Sequence, residues 1–219
     1  MPILSTIEIE TAEKVDASII WLHGLGANGH DFEPIVPQLR LPKSFAIRFI
    51  FPHAPSIPVT INGGMVMPAW YDIIDASMDR DIDHTQIMQS SDWINELIKQ
   101  EIDRGIDSKR IIIAGFSQGG AVAYQVALTY PDALAGLMAL STYLATSQTI
   151  KPSSINQDIP ILVCHGRLDM VVPEMLGRNA IDSLKSMGYE AQYHTYAMQH
   201  SVSFEEIVDI SNWIQEVLA

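Results

Sequence analysis

The run Arg110-Ile111-Ile112-Ile113-Ala114-Gly115-Phe116-Ser117-Gln118-Gly119-Gly120-Ala121 decides how the rest of the chain is read. Ile111 to Ala114 is a short continuous apolar run, the form a strand takes when helices cover both faces of its sheet. Ala121 to Leu128 has helix-forming composition, and Pro131 stops it. A serine with glycines two positions away on either side therefore marks a tight strand-to-helix turn. Such a turn lifts the hydroxyl above the sheet, and the glycines remove side chains that would clash there. The helix that starts at the turn contributes free N–H groups and a positive dipole end, both suited to an oxyanion.

The same strand-then-helix rhythm extends in both directions. Strands are expected over Ile7 to Glu10, Ser18 to Leu22, Ile47 to Phe51, Arg110 to Ala114, Leu134 to Leu140, Ile161 to His165 and Ala191 to Tyr196. Ile87, Ile94, Leu97, Ile98 and Ile102 fall on one helical stripe closed by Gly105. Ile207, Ile210, Ile214, Val217 and Leu218 form another, and Ser203 with Glu206 has capping-box spacing at its start. The pattern implies an α/β fold with a mainly parallel central sheet flanked by helices, and ligands at the carboxyl ends of the strands. The segment Pro52 to Asp83 breaks the rhythm: it is rich in Pro, Gly and Met and has no clear period.

Composition bounds the function. At 219 residues the chain fits a single domain over 1–219, and 47% hydrophobic with 18% charged residues is ample for a large core. Lys and Arg number 13 against 26 Asp and Glu, a net charge of −13 that repels nucleic acid and anionic headgroups. Cys164 is the sole cysteine, so no internal disulfide and no structural zinc site is available. The first residues lack the basic and apolar regions of a signal peptide, and no apolar run is long enough to span a bilayer. A soluble cytoplasmic protein is expected.

A serine nucleophile needs a base, and the base needs an orienting acid. In the α/β-hydrolase arrangement the chain order is Ser, Asp or Glu, then His. Three histidines follow Ser117: His165 at a strand end, His194 within a strand, and His200 in the loop before the final helix. The first two are positions for packed residues; His200 stands at a carboxyl end and suits a base. Asp169 leaves the carboxyl end of the preceding strand and is the only carboxylate between Asp158 and Glu174. The expected oxyanion donors are the N–H of Gln118, next to the nucleophile, and that of Leu25 in the turn His23-Gly24-Leu25-Gly26. His23 is read as a structural residue of that turn, and Cys164, inside an apolar strand, as inert.

The motifs HGLG, MPAWYDI, GFSQGG and LDMVVP with a late His before the last helix resemble the carboxylesterase/lysophospholipase family that includes the acyl-protein thioesterases. The resemblance runs from about Ile7 to Trp213. It implies a minimal single-domain α/β-hydrolase without a cap domain. Such an enzyme cuts carboxylic esters or thioesters of short to medium acyl chains through Ser117, Asp169 and His200, with Leu25 and Gln118 as oxyanion donors. Lysophospholipids and S-acylated proteins are substrates of some members. Three positions depart from the family pattern: Ala27-Asn28 after HGLG, Met170 after the acid, and Gln199 before the base.

The expected partner is a small acyl ester or thioester, with no metal and no organic cofactor. Lysophospholipase or acyl-protein thioesterase activity, an apolar-ligand binder without catalysis, and a peptidase of the same fold stand as alternatives. Residues 62–83 are read as a candidate mobile flap over the acyl pocket, with Met65, Val66, Met67 and Trp70 as substrate contacts; a fixed packing loop is the alternative. Any membrane contact would be peripheral and hydrophobic. A homodimer is left open.

Overall fold

A computed structural model describes residues 4–75, 77 and 80–219. The strands are β1 (Thr6–Glu10), β2 (Ala17–Leu22), β3 (Ile47–Pro52), β4 (Ser56–Val59), β5 (Met65–Pro68), β6 (Ile73–Asp75), β7 (Asp81–Ile82), β8 (Ile111–Phe116), β9 (Gly136–Leu140), β10 (Ile161–Gly166) and β11 (Gln192–Tyr196). The α-helices are α1 (His84–Asp103), α2 (Gln118–Thr129), α3 (Glu174–Ser186) and α4 (Phe204–Val217). Seven strands form one sheet in the order β1-β3-β2-β8-β9-β10-β11, parallel throughout except for β1, which pairs antiparallel with β3. This is the α/β-hydrolase architecture expected from the strand-helix alternation.

Apolar runs without alternation still divide between two faces. Ile113 and Ile20 pack with Ile87, Ile94 and Ile98 of α1 and with the apolar residues of α2. Their neighbours Ile112, Ala114 and Ile19 pack on the opposite side with Ile207, Ile210 and Trp213 of α4. Burying one such aliphatic side chain contributes about 1.5–3 kcal/mol, so losing either layer would unfold the sheet. Among the described residues no helix is long and apolar enough to cross a membrane.

The antiparallel edge is held by charge. Glu101 of α1 is 1% exposed; it accepts hydrogen bonds from the Ser18 hydroxyl, from Arg48 Nη1 at 2.7 Å and from Arg104 Nη1 at 3.0 Å. Arg48 also reaches Glu10 at 2.8 Å, and Arg104 grips both oxygens of Glu8 at 3.0 Å. Two arginines thus tie β1, β3 and α1 together, and the buried charges of Arg48 and Glu101 are paired with each other.

The segment Pro52 to Asp83, expected to be irregular, holds two short antiparallel hairpins: β4 with β5, and β6 with β7. Strands of two to four residues carrying Pro58 and Pro68 leave no readable period. The segment is also divided by depth. Met65 and Val66 are exposed, whereas Trp70, Tyr71, Ile73 and Ile82 are core residues. Within residues 62–83 the first part is therefore exposed at the tip of a hairpin and the second part packs in the core. Residues 76, 78 and 79 of this stretch lie outside the described residues.

At the start of α4, the Ser203 hydroxyl accepts the Glu206 N–H at 3.2 Å, as the capping spacing anticipates. The Glu206 side chain is itself buried. Burial pushes its carboxyl up to about 8; the Ser203 backbone opposes this and the Asp209 charge adds to it. An unfolded glutamate loses its proton near pH 4.5, so the folded form holds more protons between there and about 8. Stability from this group is complete below the lower value and declines as pH rises through the window. Glu206→Gln should abolish that decline and be more stable than wild type at pH 8 by roughly 2–4 kcal/mol. Urea midpoints measured from pH 5 to 8 on both proteins check it; parallel curves would show that Glu206 does not titrate there.

Candidate active site

The turn after β8 is built by exclusion. Ser117 sits at φ 53°, ψ −121°, a left-handed conformation that a residue with a Cβ rarely adopts. A Cβ on Gly115 would lie 2.3 Å from the Gly119 carbonyl oxygen, and one on Gly119 would lie 2.5 Å from the His23 carbonyl oxygen. Only glycines allow β8, α2 and the turn after β2 to approach this closely. The strained serine is pinned from both sides: its N–H donates to Leu140 O at 2.9 Å, and its carbonyl accepts from the Thr142 hydroxyl at 2.6 Å.

Three loops at the carboxyl ends of the strands meet above this turn. Ser117 Oγ lies 2.9 Å from His200 Nε2, and His200 Nδ1 lies 2.6 Å from Asp169 Oδ2. The other carboxylate oxygen, Oδ1, accepts the N–H groups of Val171 and Val172 at 2.9 and 2.8 Å. Burial alone would raise the Asp169 carboxyl; the bonds from His200 and Val172 outweigh it and hold the group below its ordinary range. An ionised Asp169 accepts from Nδ1–H, which leaves Nε2 as the acceptor for the serine hydroxyl. The acid and base loops are also joined to each other, Arg167 N–H to Tyr196 O at 2.9 Å and Leu168 N–H to Met198 O at 3.0 Å. The chain therefore brings Ser117, Asp169 and His200 into one hydrogen-bonded series.

The other histidines that follow or precede the nucleophile do not reach Ser117, although His165 Nε2 lies 3.7 Å from Asp169 Oδ2. His165 is fully buried and donates through Nε2 to Val172 O at 2.8 Å, while His194 faces Asp209 at 3.3 Å near the surface. His23 is a structural residue with both nitrogens engaged. Nδ1 donates to Gly24 O at 2.7 Å and Nε2 accepts Ala54 N–H at 3.1 Å, a pairing that needs the neutral ring. Burial lowers its pKa, in keeping with that form. Burial raises the Cys164 thiol well above its usual value and keeps it inert.

Leu25 and Gln118 line the same cavity as Ser117 and His200, a space of about 340 Å³. Among the described residues neither backbone N–H has a hydrogen-bond acceptor, so both are open to an incoming oxygen. The Gln118 side chain does a second job that sequence reading missed. Its Oε1 accepts Trp70 N–H at 2.8 Å and its Nε2 donates to Tyr71 O at 2.6 Å. The Trp70 indole N–H in turn donates to His23 O at 2.9 Å.

The expected substrate contacts lie at different depths around this cavity. Trp70 is 1% exposed and is not among the residues that line this cavity; its indole N–H is directed to the carbonyl of His23 in the HGLG turn. Met65, Val66 and Met67 are also outside the lining; the hairpin contributes Ile61 in their place, alongside Ile73, Tyr143 and Val171. Met65 and Val66 are adjacent in β5 and so point to opposite faces, and both faces are open to solvent there, at 62% and 63% exposure. No sequence signal marked Ile61 or Tyr143.

Residues 5–218 match the phospholipase/carboxylesterase family, and the chain belongs to it. It is 43% identical to acyl-protein thioesterase 1 of Neurospora crassa, over 92% of this chain and 87% of that one. Acyl-protein thioesterase 1 of Gibberella zeae is 36% identical over 98% and 96% of the two chains. Among solved structures, Zea mays acyl-protein thioesterase 2 superposes with a TM-score of 0.87 at 30% identity, covering 98% of this chain and 99% of that one. The protein is a hydrolase of carboxylic esters or thioesters, and its substrates carry an acyl group.

Trp70→Phe tests the indole bond to His23. The ring volume stays, while the His23 carbonyl loses its donor, which costs about 1–2 kcal/mol. Turnover should fall with little change in KM, since the HGLG turn is displaced and the cavity wall is not. A raised KM with unchanged kcat would return Trp70 to the substrate wall.

Proposed function

We propose that this family member hydrolyses acyl thioesters and esters in two acyl-transfer steps on Ser117. The single observation that carries the reading is the 2.9 Å contact of Ser117 Oγ with His200 Nε2, while buried Asp169 holds Nδ1 at 2.6 Å. His200 takes the serine proton as Oγ bonds to the acyl carbon. The carbonyl π electrons move to oxygen, which the Leu25 and Gln118 N–H groups receive. His200 then gives its proton to the departing thiol or alcohol as that bond breaks. Water repeats the sequence on the acyl-enzyme and releases the acid. Asp169 keeps the imidazole in the required tautomer and stabilises its cationic form.

Thioesters on acylated proteins are the substrates that the names of the fungal and maize relatives favour. The cavity is apolar where it meets Ser117, through Leu25, Ile61, Ile73 and Val171, which suits an acyl chain. We place the protein in the cytoplasm, a reading supported by its single, buried, free cysteine. The flap narrows to the hairpin tip around Ile61 to Met67, between the cavity and solvent. Its exposed Met65 and Val66 are the apolar side chains through which it would touch a bilayer, and Met170 on the acid loop, at 88% exposure, is a further apolar side chain open to solvent. The same surface is where a homodimer would close, and light scattering against the 24.3 kDa chain mass decides that point.

Ser117→Ala should abolish turnover of a 4-nitrophenyl ester and labelling by a fluorophosphonate, with the thermal melt unchanged. Asp169→Asn and His200→Ala should each lower kcat on the order of a thousandfold or more. One tenth of wild-type activity surviving in Ser117→Ala would remove it as nucleophile. For the hairpin, Met65→Ser with Val66→Ser should weaken liposome binding and long-chain turnover more than hydrolysis of an acetyl ester. The binding should persist at high salt, as a hydrophobic contact does. Equal loss at all chain lengths leaves a fixed hairpin.

A further inference from the structure

His165 is a second histidine beside Asp169, and acyl transfer on Ser117 gives it no part. It stands one residue before the end of β10 and is fully buried. Its Nε2 lies 2.8 Å from Val172 O and 3.7 Å from Asp169 Oδ2. A carbonyl only accepts, so Nε2 carries the hydrogen. Burial lowers the pKa of the ring; the Val172 carbonyl and the charges of Asp169 and Glu174 oppose this, and His200 adds to it. The neutral ring therefore presents one N–H, directed to a carbonyl of the acid loop with the carboxylate beside it.

Room for this ring is built into the neighbouring helix. α3 carries Gly177 in its first turn, where alanine would favour the helix. A Cβ there would lie 2.4 Å from His165 Nδ1, so the helix gives up propensity to admit the imidazole. What the ring holds is the far end of the acid loop. Leu168, Met170 and Val171 of that loop are more than half exposed, whereas Asp169 between them is buried. Val171 and Val172 supply the two N–H groups that fix Asp169 Oδ1. Val172 is thus gripped twice, its N–H by the carboxylate and its carbonyl by His165.

We propose that His165 is a positioning residue for the acid: by anchoring Val172 it holds the Asp169 carboxylate so that Oδ2 faces His200 Nδ1 while the imidazolium forms. The proposal rests on the reading of Ser117, Asp169 and His200 as a triad and places a fourth side chain behind it. His165 does not line the cavity and acts only through Asp169. Without its N–H, the buried Val172 carbonyl loses its donor, the N–H groups on Oδ1 shift, and the 2.6 Å contact of Oδ2 with His200 loosens. An imidazolium held less closely by a carboxylate is less stable, which penalises the transition state and spares ester binding. Misplacing such a group by about 1 Å costs up to about a hundredfold in rate.

The test measures kcat, KM and their pH dependence for 4-nitrophenyl hexanoate. His165→Leu should lower kcat about tenfold with KM unchanged. The acid limb of its pH profile should move to lower pH, because a less stabilised imidazolium gives up its proton more readily. The low-field proton resonance of His200 Nδ1–H should weaken or vanish. His165→Gln, whose amide nitrogen can donate to the same carbonyl, should recover most of kcat and the resonance. Gly177→Ala crowds the ring without altering it, and should lower kcat in the same way although alanine favours the helix. These two variants decide the matter if His165→Leu does not fold. Wild-type kcat with an unmoved acid limb in folded His165→Leu or Gly177→Ala overturns the role, as does a folded His165→Gln no better than His165→Leu. Ser117→Ala and His200→Ala report on the triad separately. Turnover surviving in them removes the triad reading, whereas the overturning results with both inactive remove only the role of His165.

Discussion

The close approach of three backbones at the end of β8 constrains everything else in the molecule. Gly119 must pass against the carbonyls of Leu22 and His23, and Gly115 against the first turn of α2. That contact holds Ser117 in a left-handed conformation, starts α2 beneath it and sets the turn after β2 beside it. The strain at one residue persists because the sheet, the helix and the neighbouring turn all specify it. The acid and base loops then need only reach the same point, and their mutual hydrogen bonds deliver them as a unit.

Much of this is legible in the residues. Runs such as Ile111 to Ala114 and Ile161 to His165 become buried parallel strands, with boundaries shifted by a residue or two, since an apolar run has no other stable environment in such a chain. Ser117, Asp169 and His200 are brought together because chain order along a parallel sheet predicts which loops share an end. Depth was harder to see. Trp70 sits in a Met- and Pro-rich stretch that resembles a surface loop, yet its indole is spent on the His23 carbonyl. Its partner, the Gln118 side chain, is distant in sequence, and no local pattern announces a hydrogen bond across 48 positions. The cavity wall was invisible for the same reason: Ile61, Arg80 and Tyr143 come from three separate segments.

The two halves of the site differ in how they are held. The reacting groups are fixed by strong short bonds between loops and by full burial of the acid. The surroundings depend on single long-range contacts, such as Gly26 N–H to Pro68 O at 2.8 Å, which ties the HGLG turn to the hairpin. Chemistry and selectivity are thereby separable. Ile61 at the hairpin tip lines the cavity without taking part in the bonds that hold Ser117, Asp169 and His200, so its substitution can reshape what enters, which suits a fold that serves many esters.

The arginine and glutamate network at the antiparallel margin has a consequence beyond holding α1. An open sheet ends in strands whose outer N–H and C=O groups invite another chain to add on. Along β1, the exposed residues Glu8 and Glu10 alternate with half-buried Ile7 and Ile9. A second molecule docking edge to edge would have to bring its own carboxylates against these, after pulling them from Arg48 and Arg104. The side chains that lock the margin therefore also oppose pairing of another chain along β1, at one of the two edges of the sheet.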